Sequence, residues 1–163
     1  MYDRLYAIAR RILRDGYAAE EAVQESLIRG WRELRSLRDP SRFEAWMHRL
    51  LINSCRDQGR KARRFAVEVA EISSDRFDPA DDFATVANVD ELERGFLRLP
   101  IEHRAVLVLT HYVGMSAPEV SQVLGIPVGT VYSRLHYGVR AMRAAMSHPS
   151  AEAPASALQE KGR

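Results

Sequence analysis

The sequence predicts an all-α protein made of two small helical domains. Apolar side chains recur at spacings of three and four residues through most of the chain, which is the period of an amphipathic helix. No stretch shows the strict alternation that is typical of a half-buried strand. Ser41 and Ser116 each precede a Glu by three residues, a pattern that favours a capped helix start.

Four segments follow from where this periodicity is present and where it is lost. We expect a first helical domain at 1–64, an acidic linker at 65–88, a second helical domain at 89–146 and a disordered tail at 147–163. The linker contains Ser-Ser and Asp-Pro steps, and the tail is rich in Ser, Pro, Ala and Glu. The two domains should therefore be joined flexibly.

Three helices are predicted in the first domain. The first buries an apolar face made of Leu5, Ile8, Ala9, Ile12 and Leu13. The second is expected to bury Ala19, Ala22, Val23, Leu27, Trp31 and Leu34. After a short loop, the third is expected to start at Ser41 with a capping box to Glu44, and to bury Phe43, Met47, Leu50, Leu51 and Ser54.

The second domain carries the pattern of a helix-turn-helix. A helix from Val89 to Arg98 precedes one that starts at Pro100 and ends before Gly114. Ser116 then caps a short helix, and a Gly-containing turn and Pro127 open the last one. Apolar contacts between the last two helices are expected from Val120, Leu124, Ile126 and Val131, and the last helix has an apolar stripe of Val128, Val131, Leu135, Val139, Met142 and Met146.

Charge is distributed unevenly although the net charge is only +2. Residues 1–64 carry fifteen Lys and Arg against nine Asp and Glu, and residues 92–146 carry six against three. Residues 65–91 carry one Arg against eight acids. Two basic modules joined by an acidic segment suggest a polyanion partner, and solvated surface explains the same charges equally well.

Several classes of protein are disfavoured. The single cysteine, Cys55, excludes an internal disulfide framework, and no apolar leader or membrane-spanning run is present, so a cytoplasmic protein is expected. His48 and Cys55 lie on one helix with no third ligand nearby, so no metal site is expected. The sequence contains no convincing catalytic nucleophile, carboxylate pair or phosphate-binding loop. We therefore expect that the protein is not an enzyme and binds no cofactor.

Three surfaces are candidates for binding. The last helix displays hydroxyls, an Arg and aromatic rings suited to the major groove: Thr130, Tyr132, Ser133, Arg134, His136 and Tyr137. The third helix carries a basic stripe beside the polar loop 36–40, suited to single-stranded DNA: Arg49, Asn53, Arg56, Arg60 and Arg64. The second helix presents an acidic face that would be repelled by DNA and so suits a protein: Glu20, Glu21, Gln24, Glu25 and Ile28.

Each surface also has a simpler interpretation. The helix-turn-helix could be an ordinary helical hairpin, although both caps, the turn and the displayed residues favour DNA binding. Basic helix faces are usually just solvated, so the stripe alone is a weak signal. A solvated face explains the acidic residues at least as well on composition alone.

The order and spacing of these motifs resemble the extracytoplasmic-function group of the sigma-70 family. The run Ala19-Glu20-Glu21-Ala22-Val23-Gln24-Glu25, followed by Trp31, resembles its polymerase-binding helix. Trp46-Met47-His48-Arg49-Leu50-Leu51-Ile52-Asn53, with Asp57 and Arg60, resembles its minus-ten helix. The run from Gly125 to Leu135 resembles its region 4, together with Leu99-Pro100 and Arg104.

The resemblance implies a function and a partner for each surface. The acidic face would bind the clamp helices of the polymerase beta-prime subunit, and the beta subunit of core RNA polymerase is a further expected partner. The minus-ten promoter element would be recognised by Arg38, Arg49, Asn53, Arg56, Arg60 and Lys61. The last-helix residues named above would read the minus-thirty-five element. No small-molecule substrate and no membrane insertion are implied, and whether an anti-sigma factor binds stays open.

Two other functions remain compatible with parts of the sequence. A stand-alone helix-turn-helix DNA-binding regulator would explain the second domain but not the acidic face or the Trp46-to-Asn53 motif. A degenerate sigma-like decoy would bind only protein partners and would not direct transcription. An enzyme is the least favoured alternative.

Overall fold

The structure is a computed structural model that describes residues 1–72 and 89–147, with side chains given for 1–65 and 92–145. In these ranges every element of regular secondary structure is helical, as the sequence predicted. The expected tail at 147–163 lies outside the described residues apart from its first position, and so does most of the expected linker. No described helix is long and apolar enough to cross a membrane.

The first two helices form an antiparallel pair joined by a very short turn. Helix α1 covers Tyr2–Leu13 and helix α2 covers Gly16–Glu33. Arg14 ends α1 in the left-handed conformation, with φ of 62°. The Asp15 carboxylate then caps α2 by accepting a hydrogen bond from the Ala18 amide at 2.9 Å. The apolar face expected for α1 is confirmed, since four of its five residues are fully buried.

The buried side of α2 differs from the expected one near its end. Trp31 is 83% exposed and Leu34 is 47% exposed, so placing them in the core was wrong. Ser26 and Gly30 are buried there instead. A Cβ on Gly30 would lie 3.0 Å from the Met47 sulfur, so small residues let α2 approach the third helix closely and leave no room for large ones.

The third helix starts differently from the prediction. A short 3₁₀ turn covers Pro40–Arg42, and helix α3 runs over Phe43–Ile72. The capping box at Ser41 is not formed, because the carboxylate of Asp39 accepts hydrogen bonds from the Ser41 amide and hydroxyl, at 3.0 and 2.7 Å. Glu44 instead pairs with Arg4 of α1 at 2.8 Å.

Helix α3 also continues past the point where its apolar periodicity is lost. Its backbone is helical to Ile72, so residues 65–72 extend the helix instead of forming an irregular linker. The side chain of Phe65, near the end of the stripe, is 69% exposed. A helix that projects beyond its domain needs no buried face, and periodicity alone therefore cannot mark its end.

The second domain begins with two short helices. Helix α4 covers Val89–Leu97 and helix α5 covers Ile101–Leu107. Pro100 is the N-cap of α5 and lies just outside its first turn. A π-helical turn, Val108–Tyr112, follows before the chain reverses at Gly114 with φ of 85°.

The predicted helix-turn-helix is confirmed. Helix α6 covers Ala117–Leu124 and helix α7 covers Val128–Ser147. The Glu119 carboxylate accepts hydrogen bonds from the Ser116 amide and hydroxyl, at 2.7 and 2.6 Å. Gly125 forms the turn in the left-handed region, with φ of 65°.

The two domains pack against each other. Helix α3 contacts α5 and α6, and α1 contacts α5 and the π-helical turn. Buried residues of both domains form one continuous cluster. The guanidinium of Arg11 stacks 3.6 Å from the centre of the Tyr112 ring, and Arg14 forms a salt bridge with Glu93.

Candidate nucleic-acid and protein interfaces

The outer face of α2 combines acidic and apolar side chains. Glu20 and Gln24 are exposed, and Ile28 is 51% exposed. Helical geometry places Trp31 on the same side, so an indole extends the acidic face. An exposed aromatic ring beside carboxylates is the composition of a protein-binding site and a poor one for DNA.

Glu25 belongs to an ion-pair network, which the sequence did not reveal. Arg29 donates hydrogen bonds to Glu25 at 2.6 Å and to Asp57 of α3 at 3.0 Å. Arg60 donates a further one to Asp57 at 2.5 Å. Glu21 is half-buried, so the exposed acids of the face are fewer than the five-residue motif suggests.

This network also sets the charge of Asp57. Burial raises the pKa of the carboxyl, but the hydrogen bonds from Arg60 and Arg29 outweigh that effect and lower the pKa. Arg60, a predicted minus-ten residue, is thus held by Asp57 while most of its side chain remains exposed.

A pocket of about 310 Å³ lies where the polar loop meets α3. It is lined by Ser36, Leu37, Arg38, Asp39, Arg42, Ala45, Trp46, Arg49, Gln122 and Val123. An indole and several guanidinium groups beside a polar loop in one concave site provide what an unstacked base and its phosphates need. The structure therefore brings Arg38 of the predicted loop together with Arg49 of α3.

Most residues of the basic stripe on α3 are exposed to solvent, and Arg56 lies near charged residues of the second domain. Arg49, Arg60, Lys61 and Arg64 are exposed, and Asn53 is half-buried. The predicted stripe was expected to be exposed along its length, but Arg56 is half-buried. Its Nε atom is shielded from solvent and has no hydrogen-bond partner. It donates only a long hydrogen bond to Asn53, at 3.4 Å.

The N-terminal half of α7 displays the predicted duplex-reading residues. Tyr132 and Tyr137 are 59% and 54% exposed, and Ser133 and His136 are exposed as well. Thr130 is half-buried, and its carbonyl accepts a hydrogen bond from the Ser133 hydroxyl at 3.0 Å. Val131 points inward and is fully buried, so the predicted two-sided character of this helix is confirmed.

Arg134 is the exception on this helix, because it turns toward the first domain. It is half-buried, its Nη1 atom has no hydrogen-bond partner, and its charge lowers the pKa of Arg56. Burial is the largest cause of that lowering, and Glu102 opposes it. Burial likewise lowers the pKa values of Arg104 and His103, and the charge of Arg134 lowers that of His103 further.

Comparison with known proteins identifies both domains. Residues 1–65 match the family model described as Sigma-70 region 2, and residues 90–142 match the one described as Sigma-70, region 4. The ECF RNA polymerase sigma factor SigW of Bacillus subtilis is 30% identical over 153 residues, covering 86% of this chain and 82% of SigW. The chain belongs to the ECF RNA polymerase sigma factor family.

Other relatives agree with this assignment. The ECF RNA polymerase sigma factor SigE of Mycolicibacterium smegmatis is 33% identical over 161 residues, covering 95% of this chain. The chain spans 62% of the length of that relative. The sigma factor RpoE of Bartonella quintana, solved in complex with the anti-sigma factor NepR, shares the fold with a TM-score of 0.68 and 22% identity, covering 90% of this chain and 91% of that one.

The contacts of the structure show which residues the sequence analysis missed. Arg29 and Gln122 were not singled out, although Arg29 joins α2 to α3 and Gln122 lines the pocket. Trp31 was recognised in the motif but assigned to the core. Alternation of acidic and exposed apolar residues on one face of α2 is the signal that could have placed it at the surface.

The remaining titratable groups include two buried side chains, His48 and Cys55. Within the described side chains, no group of three or more His, Cys, Asp or Glu is arranged to hold a metal ion. His48 is 3% exposed and its Nδ1 atom has no hydrogen-bond partner, and burial lowers its pKa. Cys55 is fully buried, and burial raises the pKa of its thiol to about 12.

Proposed function

We propose that this chain binds the core of bacterial RNA polymerase and directs it to begin transcription at specific promoters. Supporting this, one chain carries a region 2 match followed by a region 4 match, and curated relatives over most of its length are ECF RNA polymerase sigma factors. The strongest support is the outer face of α2, where acidic side chains lie beside Trp31. A stand-alone DNA-binding regulator would not need such a protein-binding face.

Each surface receives one role in this proposal. The face of α2 binds polymerase, through the beta-prime clamp helices, using Glu20, Glu21, Gln24, Glu25, Ile28 and Trp31. The loop pocket and the stripe of α3 recognise and open the minus-ten element. The exposed side of α7 reads the minus-thirty-five element as duplex. The beta subunit contacts the chain elsewhere.

Each domain has one of these roles in the proposal. Residues 1–64 act as the polymerase-binding and minus-ten domain, and 89–146 act as the minus-thirty-five domain. The acidic segment at 65–88 sets the spacing between a single-strand reader and a duplex reader, and 147–163 is a tail. The factor works in the cytoplasm by binding, with no catalytic step of its own.

An anti-sigma factor is a further partner within this proposal. The Bartonella quintana sigma factor that shares the fold is in complex with an anti-sigma factor. A protein that wraps the chain would compete with polymerase for the exposed apolar residues of α2.

Charge reversal on α2 tests the proposal directly. The double variant Glu20→Lys with Glu21→Lys removes acids that the Arg29 network does not use, so the fold should stay intact. We expect the wild-type chain to co-elute with core polymerase in gel filtration and the double variant to elute alone. A reversal at Glu33, which is exposed at the far end of α2, serves as the matched control.

Unchanged co-elution of the double variant would contradict the assignment of this face. Failure of the wild-type chain itself to bind core polymerase would contradict the proposed function and leave the stand-alone regulator as the better account.

A further inference from the structure

Helices α5 and α7 approach each other closely at Gly138. A Cβ at that position would lie 2.9 Å from the Cδ1 atom of Leu107 and 3.3 Å from its Cγ atom. Gly138 is buried and Leu107 is 8% exposed, so a core side chain of α5 occupies the space that a side chain at 138 would need. The lack of a side chain at Gly138 therefore allows the two helices to lie this near.

The close approach brings a histidine of α5 onto a tyrosine of α7. His103 lies one turn before Leu107, and Tyr137 is next to Gly138. The His103 and Tyr137 ring centroids are 4.8 Å apart, with 54° between the ring planes. Aromatic rings attract each other at this distance. Because His103 is half-buried and Tyr137 is 54% exposed, the imidazole supports one side of the tyrosine ring and leaves the rest to solvent.

The other interactions of His103 do not account for an imidazole at this position. Its Nδ1 atom is shielded from solvent without a hydrogen-bond partner. Its backbone amide donates a hydrogen bond to the Pro100 carbonyl at 2.9 Å, which any residue except proline could do. Burial and the charge of Arg134 lower the pKa of the ring, with Glu102 opposing, so the ring is neutral at pH 7. The contact with Tyr137 is therefore made by an uncharged ring.

Support of this kind matters for Tyr137 because an exposed side chain is otherwise free to rotate. An aromatic side chain that is held in place before binding loses less conformational entropy when it meets its partner. Arg134 lies one turn earlier on α7, and its charge also interacts with His103. One residue of α5 thus lies beside two of the proposed duplex-reading residues.

We propose that His103 is a positioning residue for minus-thirty-five recognition, because it holds the Tyr137 ring in the orientation in which that ring contacts the duplex. His103 itself does not contact the DNA. The proposal rests on the proposed function, which assigns Tyr137 to the minus-thirty-five element. It adds a residue from outside the helix-turn-helix to a site whose predicted residues all lie on α7.

Three substitutions separate the ring contact from other effects of His103. Alanine removes the ring and favours the helix. Glutamine fills much of the space with a polar side chain that has no ring. Phenylalanine keeps an aromatic ring without the imidazole nitrogens, so it should preserve the contact with Tyr137. His111→Ala, at an exposed histidine on the π-helical turn, is the matched control.

The measurement uses the complete chain bound to core polymerase. The probe is a fluorescein-labelled promoter fragment from which the wild-type chain directs transcription. Unlabelled copies with an intact or a scrambled minus-thirty-five element compete with it, and the ratio of their affinities is the preference for the intact element. We expect His103→Ala and His103→Gln to lower this preference by about three- to tenfold. His103→Phe and His111→Ala should stay within about twofold of wild type.

A double-variant comparison tests whether His103 acts through Tyr137. Tyr137→Ala alone should lower the preference, and adding His103→Ala should cause no further loss, because the ring to be positioned is gone. A further loss as large as that in the wild-type background would overturn the proposal, since His103 would then act independently of the tyrosine. A phenylalanine variant as weak as the alanine variant would overturn it too, because the ring contact would not be responsible.

The behaviour of the wild-type chain distinguishes this proposal from the function on which it rests. If wild type prefers the intact minus-thirty-five element and His103→Ala keeps the full preference, only the role of His103 is wrong. If wild type directs transcription from no fragment, or shows no preference for the intact element, the assignment of α7 to that element fails and the role of His103 fails with it.

Discussion

Arg29 of α2 donates a hydrogen bond to Asp57 of α3 at 3.0 Å, and this contact joins the proposed polymerase-binding helix to the proposed minus-ten helix. The same guanidinium also holds Glu25. The orientation of α2 relative to α3 is thus fixed by a polar network as well as by the core.

Arg29→Met should lower the free energy of unfolding by about 1 kcal/mol or less, because the pairs are about one-third exposed and partly screened. The pKa of Asp57 is lowered in the folded chain from its ordinary value of 3.8. Its contribution to the free energy of unfolding is therefore present above pH 3.8 and is lost as the pH falls through the lowered pKa. Urea unfolding at pH 7 and pH 3 measures both effects. Arg32→Met, at an exposed position of α2, is the control, and an equal loss there would contradict the role of the network.

Trp31→Ala should weaken binding to core polymerase by about 2 kcal/mol or more, because an exposed indole in a protein contact is a frequent energetic centre. The thermal unfolding midpoint should be unchanged, since the side chain is 83% exposed. Titration of labelled chain with core polymerase measures the affinity. Phe65→Ala removes another exposed aromatic ring, on α3, and should have no effect. Equal affinity of the Trp31 variant and wild type would exclude the indole from the interface.

The features that the sequence predicted correctly are those decided by neighbours along the chain. The capped start of α6 at Ser116 and the turn at Gly125 depend on local backbone and side-chain groups. The apolar stripe of α1 faces a single core and therefore shows the full helical period. Such features need no knowledge of distant residues.

The features that the sequence did not predict depend on distant partners. Trp31 lies outside because Gly30 packs closely on Met47, and Ser41 does not cap α3 because Asp39 takes its amide and hydroxyl. The packing of α6 on α3 required knowing how two separate domains meet. Of the candidate site, residue types and faces could be predicted, whereas the burial of Arg134 could not.

Gly95→Ala should destabilise the second domain by about 1–3 kcal/mol, because a Cβ there would lie 2.6 Å from the Ala145 Cβ where α4 crosses α7. Gly129→Ala is the matched control, since a Cβ at that position of α7 meets nothing within 4 Å. It should instead stabilise by up to about 1 kcal/mol through helix propensity. Thermal unfolding compares the two variants, and equal effects would show that α4 and α7 are not in close contact.

His48 should make the protein less stable in mild acid. Burial lowers its pKa, with Glu44 opposing and Arg4 adding to the effect, so the folded state resists protonation. The contribution of His48 to the free energy of unfolding is complete above pH 6.5, its ordinary pKa. This contribution declines as the pH falls below 6.5 and levels off below the lowered pKa of the folded chain. Urea unfolding between pH 7.5 and 5.0 should show a steeper loss for wild type than for His48→Gln. Equal slopes would mean that His48 is protonated as easily in the folded chain as in the unfolded one.

Arg134→Ala should weaken minus-thirty-five recognition by about 1–3 kcal/mol in the polymerase-bound state, the usual value of a bidentate base contact. Competition between a promoter fragment and one with a scrambled minus-thirty-five element measures the effect. An equal loss on both fragments would show that Arg134 contacts only phosphates.

Transcription by purified core polymerase on a library of genomic promoter fragments, with and without this chain, tests the central claim most directly. The account predicts transcripts that start at a limited set of positions, require the chain, and become weaker with Trp31→Ala when the chain is limiting. The same transcripts with and without the chain, or none in either case despite active core polymerase, would contradict it.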